Sequence, residues 1–163
     1  MENLSIRPAN VDDTKQILNF IEALAEYEKL SAQVSATEAK LIATLFPENG
    51  NPAAEVQLAF LNETPVGFAL YFSSYSTFLA QPGIYLEDLF VDPSSRGLGI
   101  GEALLRKVAS VAVTRGAGRL EWSVLDWNKS AIDFYRRLGG KPMNEWTTFR
   151  VDGPALQALA SDA

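Results

Sequence analysis

The stretch Arg96-Gly97-Leu98-Gly99-Ile100-Gly101 constrains this chain more than any other. It follows the apolar run "GIYLEDLFV" and leads at once into helical periodicity from Ile100 to Arg115. A strand, a glycine-rich turn and a helix in that order leave the first helical amides without intrahelical partners. Glycine permits positive φ and lets another molecule come close to the backbone. The run therefore has the makings of an anion site, and Arg96 adds a charge suited to phosphate. It is not a P-loop, because no Lys-Ser or Lys-Thr pair follows at the required spacing. It is not the dinucleotide fingerprint either, since the third glycine falls early and Glu102 takes its place. A flexible turn with a solvated arginine is the competing reading, and the run alone leaves it open.

Composition narrows the chemistry. The 163 residues suit one domain over 1–163 with a sizeable core. No apolar run approaches the roughly 18 residues of a membrane span, and "MENLSIRPAN" lacks the pattern of a signal peptide, so the expected location is cytoplasmic. Cysteine and histidine are both absent. Disulfides, thiol nucleophiles, the usual zinc sites and histidine acid–base chemistry are thereby excluded, and no metal is expected. Proton transfer falls to carboxylates, tyrosine, lysine or ordered water. The formal charge of −6 argues against a nucleic-acid partner and favours a cationic small molecule.

Along the chain, "LSIRPA" predicts a strand, and Asn10 a helix cap followed by a helix to about Leu30. Ala36 to Phe46 predicts a second helix. Alternation through "AEVQLAFLNETPVGFALYFSSY" predicts a hairpin turning at Asn62 to Pro65. After the helix at Ile100 to Arg115, "RLEWSVLDW" predicts a strand, and "NKSAIDFYRRLGG" a helix capped at Asn128 or Ser130. "EWTTFRVD" predicts a last strand, with a short helix in the tail. The order implies an α/β (α+β) fold with a mixed sheet covered on both faces.

Arg-x-x-Gly-x-Gly, preceded by "YLEDLFVDP" and followed by "WNKSAIDFYRRLGG", resembles the GNAT family of acetyl-CoA-dependent N-acetyltransferases. Within it, "IRPA", "AEYE", "YLEDLFV", "RGLGIG", "WN" and "FYRR" are most similar to the spermidine/spermine and thialysine acetyltransferase branch. The resemblance runs from Ile6 to about Val151. It implies a central sheet of six to seven strands and acetyl-CoA as co-substrate. It further implies that Arg96, Gly97, Leu98, Gly99, Ile100 and Gly101 cradle the pyrophosphate. Phe90 and Val91 would offer backbone groups to the pantetheine arm, Asn128 would bond that arm, and Tyr135 would sit by the sulfur. Arg136 and Arg137 could reach the outer phosphates or be solvated. Relatives in this branch are commonly homodimers, and Trp127, Trp146 and Phe149 are candidates for such an interface or for the core.

The implied reaction is attack of a neutral amine on a thioester. An alkylammonium of pKa about 10.4 is neutral in only about one molecule in a few thousand at pH 7, so a base is needed. Glu87 and Asp88 are the candidates, and strand alternation predicts that they point to opposite faces. The resemblance favours Glu87 as the base, acting through a water, with Asp88 near the substrate's cationic groups. Pairing with an arginine is the competing role for either. The oxyanion requires donors already in place, which a splayed strand would supply. Tyr135 falls on an apolar stripe with Ala131, Phe134 and Leu138, which reads as packing, whereas the resemblance makes it the general acid. Tyr27 and Glu28 are the candidates for the amine pocket. Where polyamine acetyltransferases of the family tend to carry Asp-Pro-Trp, this chain has Ser76, Thr77 and Phe78, which points to a shorter amine such as a diamine or a lysine-like amino acid. Two other functions stay open: a protein lysine or N-terminal acetyltransferase, and a non-catalytic acyl-CoA-binding module.

Overall fold

A computed structural model describes residues 3–161. Its contacts divide the chain into two compact units, Met1–Ser123 and Val124–Ala163.

The first unit holds a five-stranded sheet in the order β1-β2-β3-β4-β5. The strands are β1 (Leu4–Pro8), β2 (Glu55–Leu61), β3 (Thr64–Ser76), β4 (Gln81–Val91) and β5 (Leu120–Trp122). The first four pair antiparallel, and β4 pairs parallel with β5. That last pairing needs a long crossover, which α3 (Ile100–Thr114) supplies. The hairpin between β2 and β3 forms where predicted. Leu61 lies opposite Thr64, and Asn62 and Glu63 both have positive φ, as the twist of a two-residue turn requires.

Helices cover both faces, as the alternation of the strands demands. On one face α1 (Thr14–Tyr27) and α2 (Glu38–Leu45) bring Ile17, Phe20, Leu41 and Leu45 onto Val56, Leu58, Phe68 and Phe90. Phe20 stacks on Phe68 with ring centroids 5.6 Å apart, and meets Phe90 at 5.9 Å. On the other face α3 buries Ile100, Leu104, Leu105, Val108 and Ala112. Gly67 shows how closely β4 and α3 pack on β3. A Cβ there would stand 2.6 Å from the Phe90 carbonyl oxygen and 3.4 Å from Leu104 Cδ1.

The first helix is shorter than predicted. A 3-10 turn at Val11–Asp13, capped by Asn10, precedes it, and it stops at Tyr27, with Glu28 as C-cap and Lys29 at φ +62°.

Five strands replace the six to seven implied by the resemblance. "RLEWSVLDW" yields only the three residues of β5, and "EWTTFRVD" forms no strand among the described residues. Alternation permits a strand, but a neighbour must supply the ladder bonds.

The second unit contains α4 (Lys129–Arg137) and α5 (Gly153–Ser161). Asn128, not Ser130, caps α4, its side-chain oxygen accepting the Ala131 amide at 3.3 Å.

Gly67→Ala should destabilise the protein by about 1–3 kcal/mol, since the clash is with backbone rather than a movable side chain. Urea unfolding followed by circular dichroism measures this.

Candidate active site

The site is organised by an irregularity in β4. Phe72 lies opposite Tyr85 and Tyr71 opposite Leu86, but Leu70 lies opposite Asp88. Glu87 is therefore an extra residue, a β-bulge. Before it, Tyr85 shares a face with Phe72, their rings 5.2 Å apart. After it, Asp88 and Phe90 share that same face with Leu70 and Phe68. Glu87 follows Tyr85 by two positions, so both carboxylates lie on the face that carries α1. This corrects the expectation of opposite faces, which strict alternation imposed. The bulge shifts the phase by one residue.

The electrostatics agree. Asp88, partly buried, has its pKa pushed up to about 7, chiefly by desolvation and then by the charges of Glu87 and Glu28. Glu28, just past the end of α1, is raised by burial and by Glu87. Glu87 itself is exposed. Three carboxylates thus sense one another at one place, although no group of metal-binding residues forms among those described. Such a cluster is disposed to receive a cation and, through Asp88, to exchange a proton near neutral pH.

The bulge coincides with a parting of strands. β4 and β5 pair only at Ile84, Leu86 and the residue between them, against Leu120–Trp122. Among the described residues, that edge of β4 has no strand partner between Glu87 and Val91, while its other edge stays paired with β3. Backbone groups along the unpaired edge are placed to bond an extended ligand.

The glycine turn follows directly. A short 3-10 turn at Pro93–Ser95, capped by Asp92, leads to Arg96. Gly97 and Gly99 have φ of +80° and +78°, and a Cβ on either would meet nothing within 4 Å. Glycine is required there by conformation, not by crowding. Gly99 is the N-cap of α3 and offers no side-chain cap, so the amides of Ile100, Gly101 and Glu102 gain no such partner. Glu102, whose charge would oppose an anion, is held by Arg106 at 2.7 Å. Leu98 is exposed and Ile100 buried. The turn is chemically suited to a pyrophosphate. Arg96 folds back, donating from Nε to the Val91 carbonyl at 3.1 Å and lying over the Tyr27 ring at 4.6 Å.

The first unit therefore gathers Tyr27, Glu28, Glu87, Asp88, Phe90, Val91 and Arg96 to Gly101. In the second unit, Asn128 uses its side-chain oxygen as a cap, accepting the Ala131 amide at 3.3 Å. Tyr135 is partly buried, its ring tilted against Phe134 at 5.3 Å. Arg136 and Arg137 are exposed in the last turn of α4, where cations suit the helix dipole. A cavity of about 380 Å³ lies elsewhere, among Gln57, Tyr71, Lys107 and Arg115, and includes none of the candidate residues.

Comparison with known proteins matches residues 20–140 to the Acetyltransferase (GNAT) family. The chain belongs to this family of acetyltransferases. It is 42% identical to thialysine N-epsilon-acetyltransferase of Sus scrofa, over 98% of this chain and 99% of that one. It is 32% identical to L-ornithine N5-acetyltransferase of Arabidopsis thaliana, over 94% and 86%. Among solved structures, an integron cassette protein from Vibrio cholerae superposes with a TM-score of 0.78 at 28% identity, covering 96% of this acetyltransferase and 97% of that chain. Family membership brings acetyl-CoA as co-substrate. Among the described residues, no helix is long and apolar enough to cross a membrane.

A carboxyl held more protonated in the folded than in the unfolded chain stabilises the fold at low pH. That contribution is fully present below the ordinary aspartate pKa and is lost as pH rises to about 7. Asp88→Asn should therefore raise stability at pH 8, by at most roughly 4 kcal/mol, and leave it unchanged near pH 3. Thermal unfolding of both proteins across that range checks the sign.

Proposed function

We propose that this acetyltransferase moves an acetyl group from acetyl-CoA to the primary amine of a small cationic molecule, by direct attack in a ternary complex. The acceptor class is a diamine or a lysine-like or ornithine-like amino acid. The carrying observation is the cluster of Glu28, Glu87 and Asp88 on one face beside the unpaired edge of β4. The relatives acting on thialysine and ornithine support this class. Two facts support one domain over 1–163: the family match crosses the division after Ser123, and relatives of similar length align throughout.

Acetyl-CoA supplies the activated thioester carbonyl. The first-turn amides of α3, Gly97 to Gly101 and Arg96 hold pyrophosphate, and Arg136 and Arg137 are the candidates for the outer phosphates. Phe90 and Val91 bond the pantetheine arm from β4, and the Asn128 amide nitrogen bonds it too. Glu87, exposed, takes the ammonium proton through a water. Asp88 and Glu28 hold the acceptor's cationic portion beside Tyr27. Tyr135 donates the proton to the departing thiolate. A second reading makes Asp88 the base, because its pKa of about 7 suits proton exchange at neutral pH.

A cytoplasmic homodimer is also inferred. Trp146 and Phe149 are 78% and 91% exposed within a segment that alternates as a strand does. A second copy would give such a segment a partner.

Thiol release from acetyl-CoA should be measured with thialysine, ornithine, putrescine, spermidine and a lysine-containing peptide. A short amine should turn over faster than spermidine. Glu87→Gln and Tyr135→Phe should each lower kcat by about 10²–10⁴-fold with coenzyme binding retained. If Asp88→Asn instead removes the acidic limb of the pH profile, the second reading stands. Turnover of the peptide alone would assign a protein substrate, and no turnover with coenzyme bound would assign a non-catalytic module.

A further inference from the structure

The cavity of about 380 Å³ that holds none of the candidate acetyl-transfer residues contains polar groups that the reaction does not use. Gln57 of β2 and Tyr71 of β3 both line it and are only 3% and 1% exposed. Gln57 Nε2 donates to the Tyr71 hydroxyl at 3.0 Å. Two capacities are then unused among the described residues: Gln57 Oε1 accepts no hydrogen bond, and the Tyr71 O–H has no acceptor. Turning the carboxamide over exchanges the roles and still strands one of its atoms. Buried polar atoms are nearly always paired, so an orphan on a residue that lines a cavity points to a partner from outside the chain.

Charge is unevenly distributed around the same cavity. Lys107, Val111 and Arg115 recur at every fourth position along α3 and its C-cap, so they form one stripe of the lining. Arg115 is spent on Glu55 through bonds of 2.6 and 2.8 Å, and it holds that carboxyl below its usual range. Lys107 is exposed and enters no hydrogen bond or ion pair among the described residues. With Glu55 and Arg115 neutral as a pair, Lys107 gives the lining a net positive charge. Pro8, Leu45, Phe46 and Val111 make much of the remaining wall apolar.

These groups specify a ligand. An anionic end suits Lys107, and an apolar body suits the proline, leucine, phenylalanine and valine. A hydroxyl both donates and accepts, so one such group serves Gln57 Oε1 and the Tyr71 O–H together. The volume is that of a small-molecule site. We propose that this cavity is a second binding site, separate from acetyl transfer, for a small carboxylate carrying a hydroxyl on an apolar body, of the hydroxyaryl-acid type. Lys107 takes the carboxylate, and Gln57 and Tyr71 take the hydroxyl. The site lies wholly within the first unit and shares no residue with the glycine turn, the β4 bulge or the end of α1.

Isothermal titration calorimetry of the full chain with para-hydroxyphenylacetate tests this. Phenylacetate lacks the hydroxyl and para-hydroxyphenylacetamide lacks the charge. Para-hydroxyphenylacetate should bind saturably, and each analogue about two- to tenfold more weakly. Lys107→Gln should weaken para-hydroxyphenylacetate and leave para-hydroxyphenylacetamide unchanged. Gln57→Leu should bring para-hydroxyphenylacetate down to the affinity of phenylacetate and leave phenylacetate itself unchanged. Lys107 is exposed, so its variant keeps the fold even if Gln57→Leu does not. Saturating coenzyme A should not displace the probe. Absence of saturable binding, displacement by coenzyme A, equal affinity for phenylacetate and para-hydroxyphenylacetate, or equal affinity in the parent and Lys107→Gln overturns the proposal.

Discussion

The extra residue in β4 is the constraint on which the rest of the site depends. Without it, Glu87 and Asp88 would face opposite sides of the sheet, one beneath α3 and one beneath α1. With it, both face α1, where Glu28 completes the group. The same irregularity marks where β5 stops pairing with β4. A bulge leaves an unpaired backbone residue and raises the local twist, so it changes side-chain phase and strand contact together. Tight packing around it holds that geometry. Phe90 is fixed by Phe20 and by its cross-strand neighbour Phe68, and Gly67 lets the opposing backbone close up.

The chain has no histidine, and the group held near neutrality at the site is a carboxyl. Burial and like charge push the Asp88 carboxyl up to about 7, each disfavouring the ionised form. The cost is borne by the fold. Local charges elsewhere are better satisfied: Arg7 holds Asp13, and Arg115 holds Glu55 through two short bonds. Arg7 and Arg115 each pair with a carboxylate, whereas Glu28, Glu87 and Asp88 stand in none of the ion pairs among the described residues. The competing reading of Glu87 and Asp88 as arginine-paired finds no such pair in the structure's ion bridges among the described residues.

Much of this was legible in the sequence because it depends on local chemistry. The glycines at 97 and 99 announce positive φ, the apolar period after Ile100 announces a helix, and together they specify an uncapped helix start. The Asn-containing hairpin turn and the Asn128 cap are equally local. Misses arise where a neighbour decides. "EWTTFRVD" has strand periodicity, but ladder bonds come from another strand, and among the described residues none pairs with it. The bulge left no local mark, because "YLEDLFV" reads as uniform alternation until its register against Leu70 and Tyr71 is known. The sequence suits Arg96 to phosphate, but only the approach of the α1 end to the glycine turn brings the Tyr27 ring beneath it.

The sequence by itself determined the family's glycine turn, the helices and hairpin, and the absence of histidine and cysteine chemistry, which leaves proton transfer to carboxylates, tyrosine, lysine or ordered water, since those follow from residue types and near-neighbour spacing. Only the tertiary structure decided that Glu28, Glu87 and Asp88 share one face, that Asp88 titrates near neutrality, and that Arg96 lies on Tyr27. Each of these depends on residues distant in sequence: cross-strand register sets the face, burial sets the charge, and the end of one helix meets the start of another.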